Sequence, residues 1–324
     1  MTAWNFAKGL QETGSGIYSY LQPDGSWGWS NAGLIVDGDA SLLVDTLFDA
    51  PLTRDMLKVM QDATGISPEQ IGTVVNTHAN GDHTHGNGLC THAEIIASEA
   101  GAREMEAFGP ERLKQMMEMA PELGETGRYF IDIFGPFDFS DVAERLPTRT
   151  FSGELVINVG NKKVELKEVG PAHTQGDVLV FVEEDSTVFT GDILFIDGTP
   201  IMWAGPVANW IRACDLIIDR RPDVIVPGHG PITDVAGVSR VKEYLAYIDA
   251  EARKRYDAGM SVRAQHSIYR FLILNPGAMP SELLSMSIHC FANIQVIPAH
   301  PTRWRYLNSW PKSSELRVRK VSNQ

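Results

Sequence analysis

The sequence predicts an α+β fold in which two β-sheets pack together with helices outside. Three observations predict it. Short β-patterned runs precede and follow amphipathic helical segments in two similar halves, and each apolar face needs another layer to cover it. Hairpin signals, of which Gly160-Asn161 is the strongest, break the β-rich stretches into antiparallel pairs. Histidines and aspartates recur on Gly- or Pro-rich loops directly after apolar strands. With 324 residues, 43% of them hydrophobic, the chain can bury a large core as one domain or two.

Taken in order, Ile17–Gln22 alternates and stops at the turn Pro23-Asp24-Gly25. Trp27 and Trp29 follow. Ala32–Val36 and Ser41–Asp45 read as strands joined by Asp37-Gly38-Asp39, which completes a meander. Leu52–Ala63 places Leu52, Met56, Leu57, Val59 and Met60 at helical spacing and is closed by Gly65. Pro68 and Gly72 lead into a strand over Thr73–Asn76. Glu94–Ala97 is a short apolar piece, and Ser98–Phe108 and Glu111–Met119 have helical patterns.

A Met- and Phe-rich helical insertion, roughly residues 98–147, then interrupts the rhythm. It reads either as a lid over a cleft or as local packing, because Met adapts its shape and aromatics supply apolar area. Strands resume at Glu154–Val159 and Lys163–Val169, then at Val178–Val182 and Thr187–Phe189. A helix over Val207–Arg220 stops before Pro222, Val224–Val226 is a short buried strand, and a helix over Val235–Ala258 ends at Gly259.

Charge marks a boundary near residue 263. Residues 264–324 carry seven Lys/Arg against two Asp/Glu, whereas residues 1–263 carry 21 against 39. The predicted organisation is therefore one domain over 1–263 and a C-terminal extension over 264–324. In that extension Ile268–Leu274, Leu283–Cys290 and Ile294–Val296 are apolar without clear caps. The overall net charge of −13 argues against nucleic acid as a partner. No apolar run has the length of a signal peptide or a membrane span, so no membrane partner is expected. Three widely spaced cysteines, Cys90, Cys214 and Cys290, suit a reduced cytoplasmic location.

The densest chemistry lies in Asn76–Gly88, NTHANGDHTHGNG. His78, Asp82, His83 and His85 fall within eight residues, just after the apolar run Ile71–Val75. Gly81, Gly86 and Gly88 are expected to break up any helix or strand here. Imidazole and carboxylate are ligands for zinc and similar divalent metals. Three further loops each add one ligand type: His173 after Lys163–Val169, Asp192 after Thr187–Phe189, and His229 after Val224–Val226. No Ser-His-Asp or Cys-His arrangement is as coherent, and Cys90 reads as a small buried residue.

This ordered set, His78, Asn80, Asp82, His83, His173, Asp192 and His229, resembles the metallo-β-lactamase superfamily over about residues 17–258. The resemblance implies an αββα sandwich of two mixed β-sheets flanked by helices, with the metal site on their shared edge. It assigns His78 and His173 to a first metal and Asp82, His83 and His229 to a second, with Asp192 between them. The departure is Asn80, which stands where the family usually has its second His. The first site thereby loses an imidazole, and one metal or two are both compatible with the set. His85 is a further candidate ligand, although it need not face the same metal.

The chemistry implied is that of a metal-dependent hydrolase acting on a small, largely apolar ester, thioester or lactone. Zinc is the first expectation, with iron or manganese as alternatives. Asp82 and Asp192 are the candidate catalytic carboxylates, able to accept a proton from an attacking water. Trp27, Trp29, Trp203 and Trp210, with the 98–147 segment, are the expected pocket walls. β-Lactam opening and hydrolytic dehalogenation are variants at the same site. An iron-dependent redox enzyme and a metal-binding protein without turnover are the alternatives from other classes. The expected partner is a small-molecule substrate, and a homo-oligomer is compatible with the sequence.

Overall fold

Short apolar runs, most of them buried on both faces, form the central strands of both sheets; the computed structural model describes residues 4–260. In chain order come β1 (Gly9–Gly14), β2 (Ile17–Leu21), β3 (Ala32–Asp37), β4 (Ala40–Val44) and helix α1 (Ala50–Thr64). After them come β5 (Thr73–Val75), the single turn α2 (Gly81–Thr84), β6 (Glu94–Ser98), helices α3 (Glu99–Ala107), α4 (Pro110–Met119) and α5 (Gly124–Phe134), and β7 (Arg149–Phe151). The second half adds β8 (Glu154–Val159), β9 (Lys162–Glu168), β10 (Val178–Val182), β11 (Thr187–Phe189), α6 (Val207–Arg220), β12 (Val224–Val226) and α7 (Val235–Asp257).

One sheet runs β1-β2-β3-β4-β5-β6-β7 and the other β12-β11-β10-β9-β8. Neighbours from β1 to β4 and from β8 to β11 are antiparallel. Neighbours from β4 to β7, and the pair β11 and β12, are parallel. Both sheets are therefore mixed, as expected.

The period of two decides which side chain enters which layer. In β10, Val178, Val180 and Val182 join the core between the sheets, while Leu179 and Phe181 pack with Trp210 and Ile217 of α6 and Val241 and Leu245 of α7. In β4, Leu42 and Val44 point between the sheets and Leu43 packs with Met56 and Met60 of α1. The layers are thus helix, sheet, sheet, helix. Close approach of the sheets depends on Gly33, where a Cβ would lie 2.1 Å from the Phe189 ring.

Local signals set the helix ends. Asp49 caps α1 by accepting from the Leu52 backbone N–H at 2.8 Å, and Gly65 closes it at φ 78°. Asp234 caps α7 through the Ala236 and Gly237 N–H groups.

Three elements lie outside the expected set. Strands β1 (GLQETG) and β7 (RTF) are polar edges with little buried surface, so they carry weak alternation. Helix α5 begins Gly-Glu-Thr-Gly, which hides its start. One expectation is corrected. The glycines of 81–88 do not abolish helix: residues 81–84 form α2 and His85–Leu89 a 3₁₀ turn. None of Gly81, Gly86 and Gly88 adopts positive φ, so each accepts the helical turn. The boundary near residue 263 and the extension 264–324 lie outside the described residues. Among the described residues no helix is long and apolar enough to cross a membrane.

Candidate metal centre

The parallel pairs explain why the ligand-type residues meet. Asp45 follows β4 and His78 follows β5, and these strands run side by side in the same direction. Asp192 follows β11 and His229 follows β12, again a parallel pair. Strand β9 is antiparallel to β10, which is antiparallel to β11, so the loop carrying His173 leaves from the same edge. The two rims are tied together: Thr77 O accepts from Val178 N at 2.8 Å and Gly228 O accepts from Asn31 N at 2.7 Å.

All six predicted ligands come together, and Asp192 stands between them. Its Oδ1 lies 3.1 Å from His83 Nε2 and 3.5 Å from His229 Nε2. Its Oδ2 lies 3.6 Å from His78 Nε2 and 3.3 Å from His173 Nε2. Asp82 Oδ2 faces His229 Nε2 at 3.3 Å. Two compact ligand groups result, Asp82–His83–His229 and His78–His83–Asp192, with ligand atoms within 4.8 Å of one another. The resemblance pairs His78 with His173; here the two converge on one Asp192 oxygen while His83 also approaches His78.

Each imidazole is held by Nδ1, which leaves Nε2 to face the centre. His83 Nδ1 donates to Asp45 Oδ2 at 2.9 Å. Thr77 Oγ1 donates to that same oxygen at 2.7 Å, so it accepts from His78 Nδ1 at 3.0 Å. His173 Nδ1 donates to the Ile201 carbonyl at 2.6 Å and His229 Nδ1 to the Ser26 carbonyl at 3.2 Å. Such outer partners fix tautomer and ring orientation in metal sites. Asp45 and Thr77 were not singled out from the sequence. Asp45 was legible only as the polar end of β4, and its role requires knowing that β4 and β5 are neighbours.

The loops also need glycine. A Cβ on Gly228 would lie 2.0 Å from Asp192 Oδ1, and one on Gly191 would lie 2.4 Å from Thr77 Oγ1. The Gly residues flanking Asp192 and His229 therefore permit close approach of backbone to ligand side chains.

Burial and mutual charge polarise the cluster. Burial alone would raise the Asp192 carboxyl, but His229, His83, His78 and His173 outweigh it and hold it well below the ordinary carboxylate range. For Asp82 burial likewise opposes ionisation, yet His83 and His229 bring it down to about 2. Burial would depress His229, but Asp192 and Asp82 raise it to about 9; His83 is raised well above its ordinary value by Asp192, Asp82 and Asp45 against the same burial. His78 and His173 are lowered, chiefly by burial. Positive charge is thus favoured on the Asp82–His83–His229 side.

These residues fit a divalent metal. Among the described residues, His78 Nε2, His83 Nε2 and Asp192 Oδ1 are buried side-chain atoms without a hydrogen-bond partner. Buried polar atoms left so are costly, and these three belong to the donor set of a zinc-type site.

The remaining candidates divide. Asn80 reaches the centre, with Nδ2 3.2 Å from His173 Nε2. His85 does not join the ligands. Its Nδ1 donates to the Phe48 carbonyl at 3.2 Å and its ring stacks on Phe48 at 5.5 Å. Trp27 and Trp29 sit on the loop whose ends touch the site, because Ser26 holds His229 and Ser30 Oγ donates to the Asp82 carbonyl at 2.5 Å. Trp29 packs on Phe137 at 4.8 Å, which links this loop to the residues following α5. Trp203 is exposed, and its backbone N–H donates to the His173 carbonyl at 2.8 Å. Trp210 is corrected as a pocket wall: it is fully buried, donates from Nε1 to the Ile193 carbonyl at 2.8 Å and supports His173 from below at 5.6 Å.

Comparisons with known proteins identify the family and the fold. The family model described as Metallo-beta-lactamase superfamily matches residues 25–229. The chain is 27% identical over 225 residues to "Probable metallo-hydrolase YqjP" of Bacillus subtilis (strain 168), covering 62% of this chain and 67% of that one. It is 25% identical over 202 residues to "Metallo-beta-lactamase domain-containing protein 1" of Xenopus laevis, covering 61% and 69%. A metallo-beta-lactamase from Pontibacter korlensis superposes with TM-score 0.55 at 17% identity, covering 73% of this chain and 98% of that one. The structure of DIM-1 metallo-beta-lactamase gives TM-score 0.55 at 17% identity, covering 74% and 96%. At such identity the structural likeness concerns the fold.

Proposed function

Because the chain belongs to the metallo-β-lactamase superfamily, we propose that it is a metal-dependent hydrolase of a small, largely apolar ester, thioester or lactone. The observation that carries this reading is the convergence of four imidazole Nε2 atoms and two carboxylates, with three of those atoms buried and unpartnered. His78, Asp82, His83, His173, Asp192 and His229 would hold the metal, and zinc, iron or manganese all accept such ligands. A divalent ion bound there makes hydroxide available near neutral pH and polarises a carbonyl.

The chain's own residues do the rest. Asp82 has the most accessible carboxylate of the cluster, with 11% of its side chain exposed, and can orient an attacking water by accepting its hydrogen bond. Asp192, at 3%, is the deeper of the two carboxylates and faces all four imidazoles. Half-buried Trp27 and Trp29, on the loop that touches the site, and exposed Trp203, beside His173, support an apolar acyl or alkyl group as the part of the substrate they would contact. The reading includes a small-molecule substrate, no nucleic-acid or membrane partner, and a reducing cytoplasmic location, to which the buried free thiols Cys90 and Cys214 are suited.

A panel of chromogenic esters, thioesters, lactones and β-lactams tests the proposal. Turnover of the first three is expected to exceed that of β-lactams. kcat/KM is expected to rise with acyl length by up to about fourfold per methylene, the equivalent of about 0.8 kcal/mol. A preference for β-lactams, or no dependence on chain length, would overturn the substrate class.

A further inference from the structure

We propose that Asn80 restricts this centre to one tightly held ion by occupying the nitrogen that a second ion would need. The proposal rests on the metallo-hydrolase reading above. His173 Nδ1 donates to the Ile201 carbonyl at 2.6 Å, so Nε2 is the unprotonated nitrogen of that ring. It carries a single in-plane lone pair, and the Asn80 Nδ2–H donates to it at 3.2 Å. One lone pair serves one hydrogen bond or one ion.

The two sides of Asp192 differ accordingly. On one side His83 and His229 face Asp192 Oδ1, Asp82 Oδ2 faces His229, and among the described residues His83 Nε2 has no hydrogen-bond partner. On the other side the groups are His78 Nε2, His173 Nε2 and Asp192 Oδ2. With His173 engaged and His83 committed to the ion it shares with Asp82 and His229, only one imidazole and one carboxylate oxygen remain there for a second ion, fewer than the three protein ligands of an ordinary zinc site. Asn80 could serve as a ligand only through its oxygen, which requires the amide to turn over and this hydrogen bond to break. Among the described residues the Asn80 side chain makes no other hydrogen bond: it caps α2 without one, while the Asn80 backbone carbonyl accepts from His83 N at 3.0 Å and Thr84 Oγ1 at 3.1 Å. Substitution at 80 therefore leaves the backbone anchors in place.

The experiment is a Zn²⁺ titration of metal-free wild type and Asn80→Ala by calorimetry, together with ring-nitrogen NMR of the metal-free proteins. Wild type is expected to take one ion tightly and a second weakly. In Asn80→Ala the first affinity is unchanged and the second tightens roughly fivefold, the worth of one net hydrogen bond. The His173 Nε2 resonance moves towards that of a free lone pair. A second ion that binds more weakly in Asn80→Ala would make the amide a ligand and overturn the proposal. So would an unchanged second affinity, or two equally tight ions in wild type. The wild-type His173 resonance decides the matter without any variant: a free lone pair there overturns it as well. Absence of any tight ion in wild type would instead refute the metallo-hydrolase reading itself.

Discussion

Replacing Asp45 by Asn tests whether the imidazoles are held as described. Asp45 is buried and accepts three hydrogen bonds: from Thr77 N at 2.7 Å, Thr77 Oγ1 at 2.7 Å and His83 Nδ1 at 2.9 Å. Asn keeps the shape and tolerates the left-handed backbone of this position, φ 60°. It replaces one acceptor oxygen by a donor, so one of the facing N–H groups meets another donor. If Nδ2 takes the Oδ2 place, His83 loses its anchor, and Thr77 Oγ1 loses the acceptor that orients it towards His78. His173 and His229, held by backbone carbonyls, are unaffected. Loss of an outer carboxylate partner typically weakens metal binding roughly 10- to 100-fold, which is about 1.4 to 2.8 kcal/mol. Competition against a chelating dye measures the change, with urea denaturation of the metal-free protein as the control for folding. Zinc affinity within twofold of wild type would show that Asp45 does not position the ligands.

Further expectations follow from the same geometry. Gly228→Ala puts a methyl 2.0 Å from Asp192 Oδ1, so it should lower zinc stoichiometry in metal analysis while circular dichroism stays native; full stoichiometry would refute the close fit. Burial lowers His85 from 6.5 to about 4, so below pH 6.5 the unfolded chain binds a proton that the folded chain refuses. The stability His85 contributes is complete above pH 6.5 and is lost as pH falls towards 4, by about 2 kcal/mol at pH 5. Denaturation midpoints at pH 8 and pH 5 should therefore fall further for wild type than for His85→Gln, and equal falls would contradict this. Burial pushes the Cys90 and Cys214 thiols up to about 12, so iodoacetamide at pH 8 should label neither peptide until the protein is unfolded.

Some of this protein was legible residue by residue. The apolar run Val178–Val182, the Gly65 stop after α1, and the turn at Gly160-Asn161 act through local preferences, and each produced the expected element. Polar edges such as β1 and β7 were invisible because half of a strand's signal is a buried face, and an edge strand has little of one. The C-terminal extension expected over 264–324 lies outside the described residues.

The same division holds at the metal centre. Residue type and order, read with the family resemblance, singled out the six candidate ligands, since imidazole and carboxylate on Gly-rich loops after strands have few other uses together. Tertiary structure decided how they are divided and aimed. Parallel pairing of β4 with β5 brings Asp45 to Thr77 and His83 across more than thirty residues of chain, which no local pattern encodes. It also turned His85 towards Phe48, because the short helical turn after Asn80 sets which of its side chains face inward, and the packing of α6 on its sheet sank Trp210 into the core beneath His173. Above all it placed the Asn80 amide on His173 Nε2: the resemblance marked Asn80 as standing in place of an imidazole, and only the fold decided which remaining nitrogen the amide would meet.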